Sequence, residues 1–466
     1  MLIANAEIDG ASPRDLRIEG GRIRAIGERL PRRPGERRLD AGGGALLPGL
    51  HDHHLHLFAL AAAQRSLRCG PPAVRGVTDL RDALARARRH TPPDAWIRGV
   101  GYHESVAGPL DRERLDTWVP DRPVRIQQRS GALWVLNSEA LLRLRADEAP
   151  PPGLERDPQG APTGRAHRVD SWLRERLGDE APPTLCGVGR TLSRHGVTGV
   201  TDATPTNGEP EIRVLDRALE QGTLPQRVHL MGSPALPISQ NARISRGPVK
   251  ILIDETRLPD FDALCATIAA AHDDGRAAAI HCVTRAELVF ATAAFEAAGC
   301  REGDRIEHAA VTDAPALDLL AALPLTVVTQ PNFVAERGDA YRRDVPEQDH
   351  PHLYRCRGFD AAGIPLGGST DAPFGEPDPW SAMRAAVDRK AADGRLLGAN
   401  EAVTPERALA LFTSPAEAPG GPPRTVGIGA VADLCLLDRP WRQARRELRA
   451  DAVAATLCAG ELVWQA

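Results

Sequence analysis

Lysine is almost missing from this 466-residue sequence: of 58 basic residues only Lys250 and Lys390 are lysines. Alongside 43 glycines and 40 prolines this fits biased codon usage, yet it makes each lysine a place to ask what arginine could not do. A basic excess is missing too, since 58 Lys and Arg face 62 Asp and Glu for a net charge of −4. Such a balance lacks the electrostatic footprint of a nucleic-acid binder. No run approaches the ~18 apolar residues of a membrane span, and the opening MLIANAEIDGASPRDLRIEGGRIRAIG has neither a basic leader nor an apolar signal core. The expectation is a cytoplasmic protein with no nucleic-acid and no membrane partner. The eight cysteines (69, 186, 265, 282, 300, 356, 435 and 458) form no CxxC pair, which argues against a thiolate zinc site and a disulfide framework. Also absent are a G-x-G-x-x-G turn after the first strand, the mark of a dinucleotide fold, and any tandem repeat of solenoid length.

Hydrophobic residues make up 42% of the chain and charged residues 26%, enough apolar material for a large core. Near the start, Leu16, Ile18, Ile23, Ala25 and Ile26 frame a Gly20-Gly21 turn, a hairpin pattern. VADLCLLD (431–438) and AVAATLCAGELVW (452–464) repeat that character at the other end, so the two ends are expected to form one small β domain. Between them strand and helix patterns alternate, as in HGVTGVTDA, RVLDRALEQG, QRVHLMG, VKILID and DALCATIAAAHDDG. This α/β alternation predicts a parallel sheet, and over its length a closed barrel. Pro-rich and Arg-rich pieces between about 60 and 185 suit an inserted subdomain or long loops.

The residues that could carry chemistry are densest in PGLHDHHLH (48–56). Strand alternation would put Asp52, His54 and His56 on one face and His51 and His53 on the other, and two imidazoles on one face can hold a metal ion. Taken alone, the motif fits an exposed His-rich loop equally well. His281, His308 and Asp371 each end a predicted strand, the rim where barrel enzymes build their sites. Lys250 falls inside the strand-like GPVKILID, where an unpaired ammonium is expensive to bury. A salt bridge would answer that cost. Carbon dioxide added to the neutral amine would also answer it, giving an anionic carbamate able to bridge two metal ions.

In this order, PGLHDHHLH, VKILID, AAIHCV, DRIEHA and GGSTDAPF resemble the ligand motifs of the amidohydrolase superfamily of metal-dependent hydrolases, and within it the amidohydrolase-3 branch that includes N-substituted formamide deformylases. LNSEALL (136–142), HGVTGVTDA (195–203), TVVTQPNF (326–333), EPDPW (376–380) and GIGAVADLCLLD (427–438) extend the likeness over nearly the whole chain. The resemblance implies a (β/α)8 TIM-like barrel over residues 47–405, with an inserted subdomain at about 60–185. A β-sandwich would be assembled from residues 1–46 and 406–466. It implies that His54 and His56 bind one metal with Asp371, that His281 and His308 bind a second, and that carboxylated Lys250 bridges the pair. The expected cofactor is divalent metal, two Zn²⁺, with Mn²⁺, Fe²⁺ or Co²⁺ as substitutes. The implied reaction is hydrolysis of an amide-like, non-peptide C–N bond of a small molecule by metal-bridged hydroxide, with Asp371 as proton shuttle. A homodimer is the expected assembly.

Three departures bear on the substrate. Ala132 stands where many members of the branch carry a histidine, and Glu255-Thr256-Arg257 leads straight into a helix from about Asp260 where the branch has a long loop. After His281 come Cys282, Val283 and Thr284, with Thr284 where deaminases of the superfamily place a glutamate, and Glu287 a helical turn on. The competing readings are a mononuclear aminohydrolase that deaminates a heterocycle and a non-catalytic binding protein on the same fold. Tyr102, His103, Arg129, Gln330 and Asn332 lie near predicted strand ends and are candidate substrate contacts, and Arg285 could pair with a carboxylate. The nine remaining histidines, His51, His53 and His229 among them, have no partner pattern.

Overall fold

The computed structural model describes residues 1–178 and 183–466; residues 179–182, inside the stretch expected as an insert, lie outside the described residues. The chain falls into two compact units, Met1–Leu57 with Thr184–Ala466, and Phe58–Pro183. In the first, eight strands form one parallel sheet: β1 (Leu50–Leu55), β2 (Val197–Asp202), β3 (Arg227–Gly232), β4 (Ile244–Leu252), β5 (Ala278–Cys282), β6 (Arg305–His308), β7 (Thr326–Thr329) and β8 (Leu366–Gly368). Past the end of β8, Asp371 N–H donates to His54 O at 2.9 Å and His56 N–H to Ala372 O at 2.8 Å, which joins the last strand's exit to the first and closes the ring at its C-terminal rim. Amphipathic helices cover the outside. Glu209–Glu220, for example, buries Ile212, Leu215, Ala218 and Leu219, the spacing of one helical face.

The inward face can be traced by alternation. His281 alternates with Ala279 along β5, and Ala279 packs with Ala203 and Met231; Thr201 and His229, two residues before those, share that face. There His51 Nε2 meets Thr201 Oγ1 at 2.9 Å, His53 Nε2 meets Ser414 Oγ at 3.0 Å and His229 Nδ1 meets Ser245 Oγ at 2.8 Å. Barrels of this kind ordinarily fill such layers with branched apolar side chains. Imidazoles fit here because glycines face them: a Cβ on Gly199 would come 2.5 Å from His51 Nδ1, and one on Gly247 3.0 Å from His229 Nε2. Burial pushes all three imidazoles below their ordinary value, His229 to about 3, so they are polar but uncharged.

Both termini contribute to two antiparallel-rich sheets of four strands. One runs Arg22–Gly27, Arg14–Glu19, Leu2–Ala6, Arg38–Asp40; the other runs Glu461–Gln465, Val453–Cys458, Leu434–Leu437, Leu46–Pro48. Ile3, Leu16, Ile18 and Ile23 from the first share one apolar core with Leu46, Leu434, Leu436 and Leu457 from the second, the β-sandwich of both ends. The Phe58–Pro183 unit has its own six-stranded mixed sheet. In its strand Leu133–Leu136, Leu133 and Val135 enter one core while Trp134 and Leu136 enter another, so helices cover both faces of this sheet. All eight cysteines are free.

Gly196, which leads into β2, has a φ of +79°, and a Cβ there would lie 2.4 Å from Cys435 Sγ on the sandwich strand Leu434–Leu437. Gly196→Ala therefore combines a left-handed backbone with overpacking against a sheet. It is expected to lower the unfolding free energy by about 2–4 kcal/mol, read as a lower urea midpoint at unchanged slope. A midpoint equal to the parent's would refute this account of the seam.

Candidate metal centre

At the barrel's C-terminal rim, His54, His56 and Asp371 each bring one ligand atom to within 4.8 Å of the other two. Asp371 Oδ1 lies 3.3 Å from His56 Nε2 and 3.6 Å from His54 Nε2. The His308 ring centroid is 4.8 Å from that of His54 and 4.4 Å from that of His281. Lys250, buried in β4, is near enough for its charge to act on both His54 and His308. All six residues expected as ligands thus belong to one neighbourhood.

Irregular backbone aims them. Between Asp52 and Leu55, β1 advances three residues while β2 advances two, from Val200 to Asp202, so a bulge breaks the alternation. Asp52, assigned by alternation to the face of His54, instead gives its carboxylate to Thr370 Oγ1 at 2.5 Å, Thr370 N–H at 3.1 Å and His54 N–H at 3.2 Å. In β6, Glu307 contacts His54, and alternation would turn the next residue outward. His308 has a φ of +71°, which returns its ring to the site. Asp371 has a φ of +55°, another left-handed backbone at the same rim.

In three of the histidines the outer ring nitrogen is fixed and the inner one is left available. His54 Nδ1 donates to Glu307 Oε2, and His56 Nδ1 meets Thr204 Oγ1 at 3.0 Å. His308 Nδ1 meets Gln330 Oε1 at 2.7 Å, and the orientation of that amide is set by its other end, since Gln330 Nε2 donates to Ser369 Oγ at 2.9 Å and to the Val328 carbonyl at 3.4 Å. His308 therefore carries its proton on Nδ1, and Nε2 keeps a lone pair. Hydrogen bonds of this type orient metal-binding imidazoles. His308 Nε2, Asp371 Oδ1 and Lys250 Nζ are all buried without a hydrogen-bond partner among the described residues. Orphaned imidazole nitrogen and carboxylate oxygen beside one another fit a divalent metal ion. Burial, reinforced by the Lys250 charge, pushes His54 down to about 3. Burial would raise Asp371, but the imidazoles beside it, His56 first and then His54 and His308, hold it at about 2.

Of the candidate substrate contacts, Gln330 is committed to His308 and Asn332 to the rim loop, its Nδ2 donating to Thr370 O at 3.0 Å. Arg285 pairs with Asp313 at 2.8 Å and with Asp349. His103 and Arg129 belong to the Phe58–Pro183 unit, where His103 Nδ1 caps the helix Glu104–Ala107 by accepting from Ser105 N–H at 3.2 Å, and Arg129 N–H donates to Tyr102 O at 2.8 Å. Glu307 and Thr204 support His54 and His56, and Arg305 pairs with Glu307, without having been singled out in the sequence. For Arg305 and Glu307 the one visible signal is RIEH, a four-residue buried strand holding opposite charges two positions apart.

A model of the amidohydrolase family matches residues 37–464. The N-substituted formamide deformylase of Arthrobacter pascens is 28% identical over 536 aligned positions, spanning 100% of this chain and 98% of that protein. An uncharacterized metal-dependent hydrolase from Pyrococcus horikoshii OT3 superposes with a TM-score of 0.74 at 21% identity, covering 94% of this chain and 97% of the other. The 5-methylcytosine deaminase of Klebsiella pneumoniae superposes with a TM-score of 0.53 at 14% identity, covering 100% and 98%. Both superpositions speak for the fold. With the family model spanning nearly the whole chain, this protein belongs to the amidohydrolase family and is a metal-dependent hydrolase acting on C–N bonds.

Proposed function

We propose that the chain hydrolyses an amide-like, non-peptide C–N bond of a small molecule, with a divalent metal centre held by His54, His56, Lys250, His281, His308 and Asp371. The observation that carries this reading is the convergence of His54, His56 and Asp371 ligand atoms within 4.8 Å of one another. When bound, divalent ions lower the pKa of a water molecule and polarise a carbonyl oxygen, and two zinc ions suit this donor set. Burial brings the Lys250 amine down to about 8, so its neutral form, the one that takes up carbon dioxide, is within reach, and the resulting carbamate would add an anionic oxygen donor. Asp371, ionised and within reach of both His54 and His56, takes a proton from the attacking water at its carboxylate and delivers it to the departing nitrogen. The water oxygen bonds to the carbonyl carbon, the C–N bond breaks, the amine leaves with the proton and the acid remains.

Heterocycle deamination is the weaker reading because of Glu287. Its Oε2 accepts from Val283 N–H at 2.7 Å and Thr284 N–H at 3.1 Å, and its Oε1 accepts from Glu255 N–H at 3.1 Å. That carboxylate caps a helix and is not free to move protons on a ring. The full donor set likewise argues against a non-catalytic binder. Likeness to a formamide deformylase directs the first screen to N-substituted formamides, then other N-acyl amines.

Elemental mass spectrometry of protein purified without chelator is expected to give about two equivalents of metal, with loss in Lys250→Ala and partial recovery on adding a short-chain carboxylate. About one equivalent, insensitive to Lys250, would instead require mononuclear chemistry. Asp371→Asn is expected to lower kcat on a responsive N-acyl amine by about 10²–10⁴-fold, with metal content measured alongside. Full activity in a variant that keeps its metal would remove Asp371 from proton transfer.

A further inference from the structure

His54 leans on a carboxylate that the proposed reaction does not use. Glu307 is fully buried and its Oε2 accepts from His54 Nδ1–H. Its Oε1 lies 2.8 Å from Arg305 Nε, an ion pair by distance that is not aligned as a hydrogen bond, and Arg305 Nη2 donates to Glu307 Oε2 at 3.3 Å and to His53 O at 2.9 Å. Arg305 is itself only 2% exposed.

We propose that the Arg305–Glu307 pair is the positioning device of His54, a buried carboxylate braced by a guanidinium so that it fixes the imidazole's tautomer, orientation and donor strength. The argument starts from a contrast. His56 and His308 receive neutral partners at Nδ1, a threonine hydroxyl and a glutamine carbonyl; of these three imidazoles only His54 receives an anion. An ionised acceptor at Nδ1 pulls the proton there, leaves the lone pair on Nε2 and makes that nitrogen the stronger metal donor. Stability alone does not explain the pair, because buried ion pairs are often replaceable by apolar side chains of similar volume without loss. Arg305 reaches both carboxylate oxygens, Oε1 from Nε at 2.8 Å and Oε2 from Nη2 at 3.3 Å, and so keeps the carboxylate in place against His54.

This inference rests on the reading of His54 as a metal ligand, so the test separates the two. Zinc affinity by competition with a chelator, the visible spectrum of the cobalt(II)-loaded protein and the urea midpoint of the metal-free protein would be compared in the parent, Glu307→Gln, the double variant Arg305→Met/Glu307→Leu, and His54→Ala. The expected result is an affinity loss of about 10–100-fold in both Glu307 variants and a shifted cobalt spectrum. The number of ions at saturation should be unchanged, and the double variant's metal-free midpoint should be no lower than the parent's. Affinity and spectrum unchanged in both would overturn the inference and leave a structural ion pair. Loss of a whole ion at saturating metal would also overturn it, by making Glu307 a ligand. His54→Ala with the parent's affinity and content would instead sink the reading of His54, and this inference with it. Should Glu307→Gln fail to fold, the double variant decides.

Discussion

Ionised groups inside a barrel must be balanced, because each costs several kcal/mol to strip of water unless a partner replaces the lost solvation. Four such groups lie close together here: Lys250 and Arg305 against Glu307 and Asp371. Arg305 pairs with Glu307, Glu307 also holds His54, and Asp371 rests on the imidazoles of His54 and His56. Lys250 is the remainder, buried with no hydrogen-bond partner among the described residues. The neutral imidazoles beneath, each given a hydroxyl, and the glycines opposite His51 and His229 make a polar floor that tolerates this charge without adding to it. Arginine, never neutral in a protein, could not shed its charge where Lys250 stands.

What could be read in the sequence follows from how local each feature is. The rim residues were legible because His281, His308 and Asp371 each close an apolar run, and a strand's end is visible in a single stretch of chain. The sandwich strands were legible at both ends for the same reason, apolar alternation punctuated by glycine. Asp52 was misplaced because alternation assumes an unbroken ladder; the bulge opposite Val200–Asp202 has no compositional mark. The six-stranded sheet of Phe58–Pro183 was hidden by strands such as VRIQQ, whose charge and amide content do not look like a strand.

The supporting contacts were hidden for a different reason. His54 and Glu307 are 253 positions apart, His56 and Thr204 are 148 apart, and His308 and Gln330, at the ends of neighbouring strands, are 22 apart. Nothing local in a sequence says which carboxylate faces which imidazole across a barrel. A metal-binding histidine does demand a partner for its second nitrogen, so the question could be posed from the motifs, though only the strand register answers it.

The same logic recasts the helix after β7, whose first residue had looked like a substrate contact. Asn332 donates to Thr370 O at 3.0 Å, Glu336 accepts from Glu376 N–H at 3.1 Å and Arg337 donates to Phe374 O. Asp52 grips Thr370 from the opposite side, and Gly375 fits only because a Cβ there would lie 2.2 Å from Asn332 Nδ2. These contacts fix the loop on which Asp371 sits at positive φ, and a carboxylate that must keep its place beside His54 and His56 needs its backbone held on both sides. The residues of TVVTQPNF thus divide their work: Gln330 orients His308 and Asn332 holds the loop that carries Asp371.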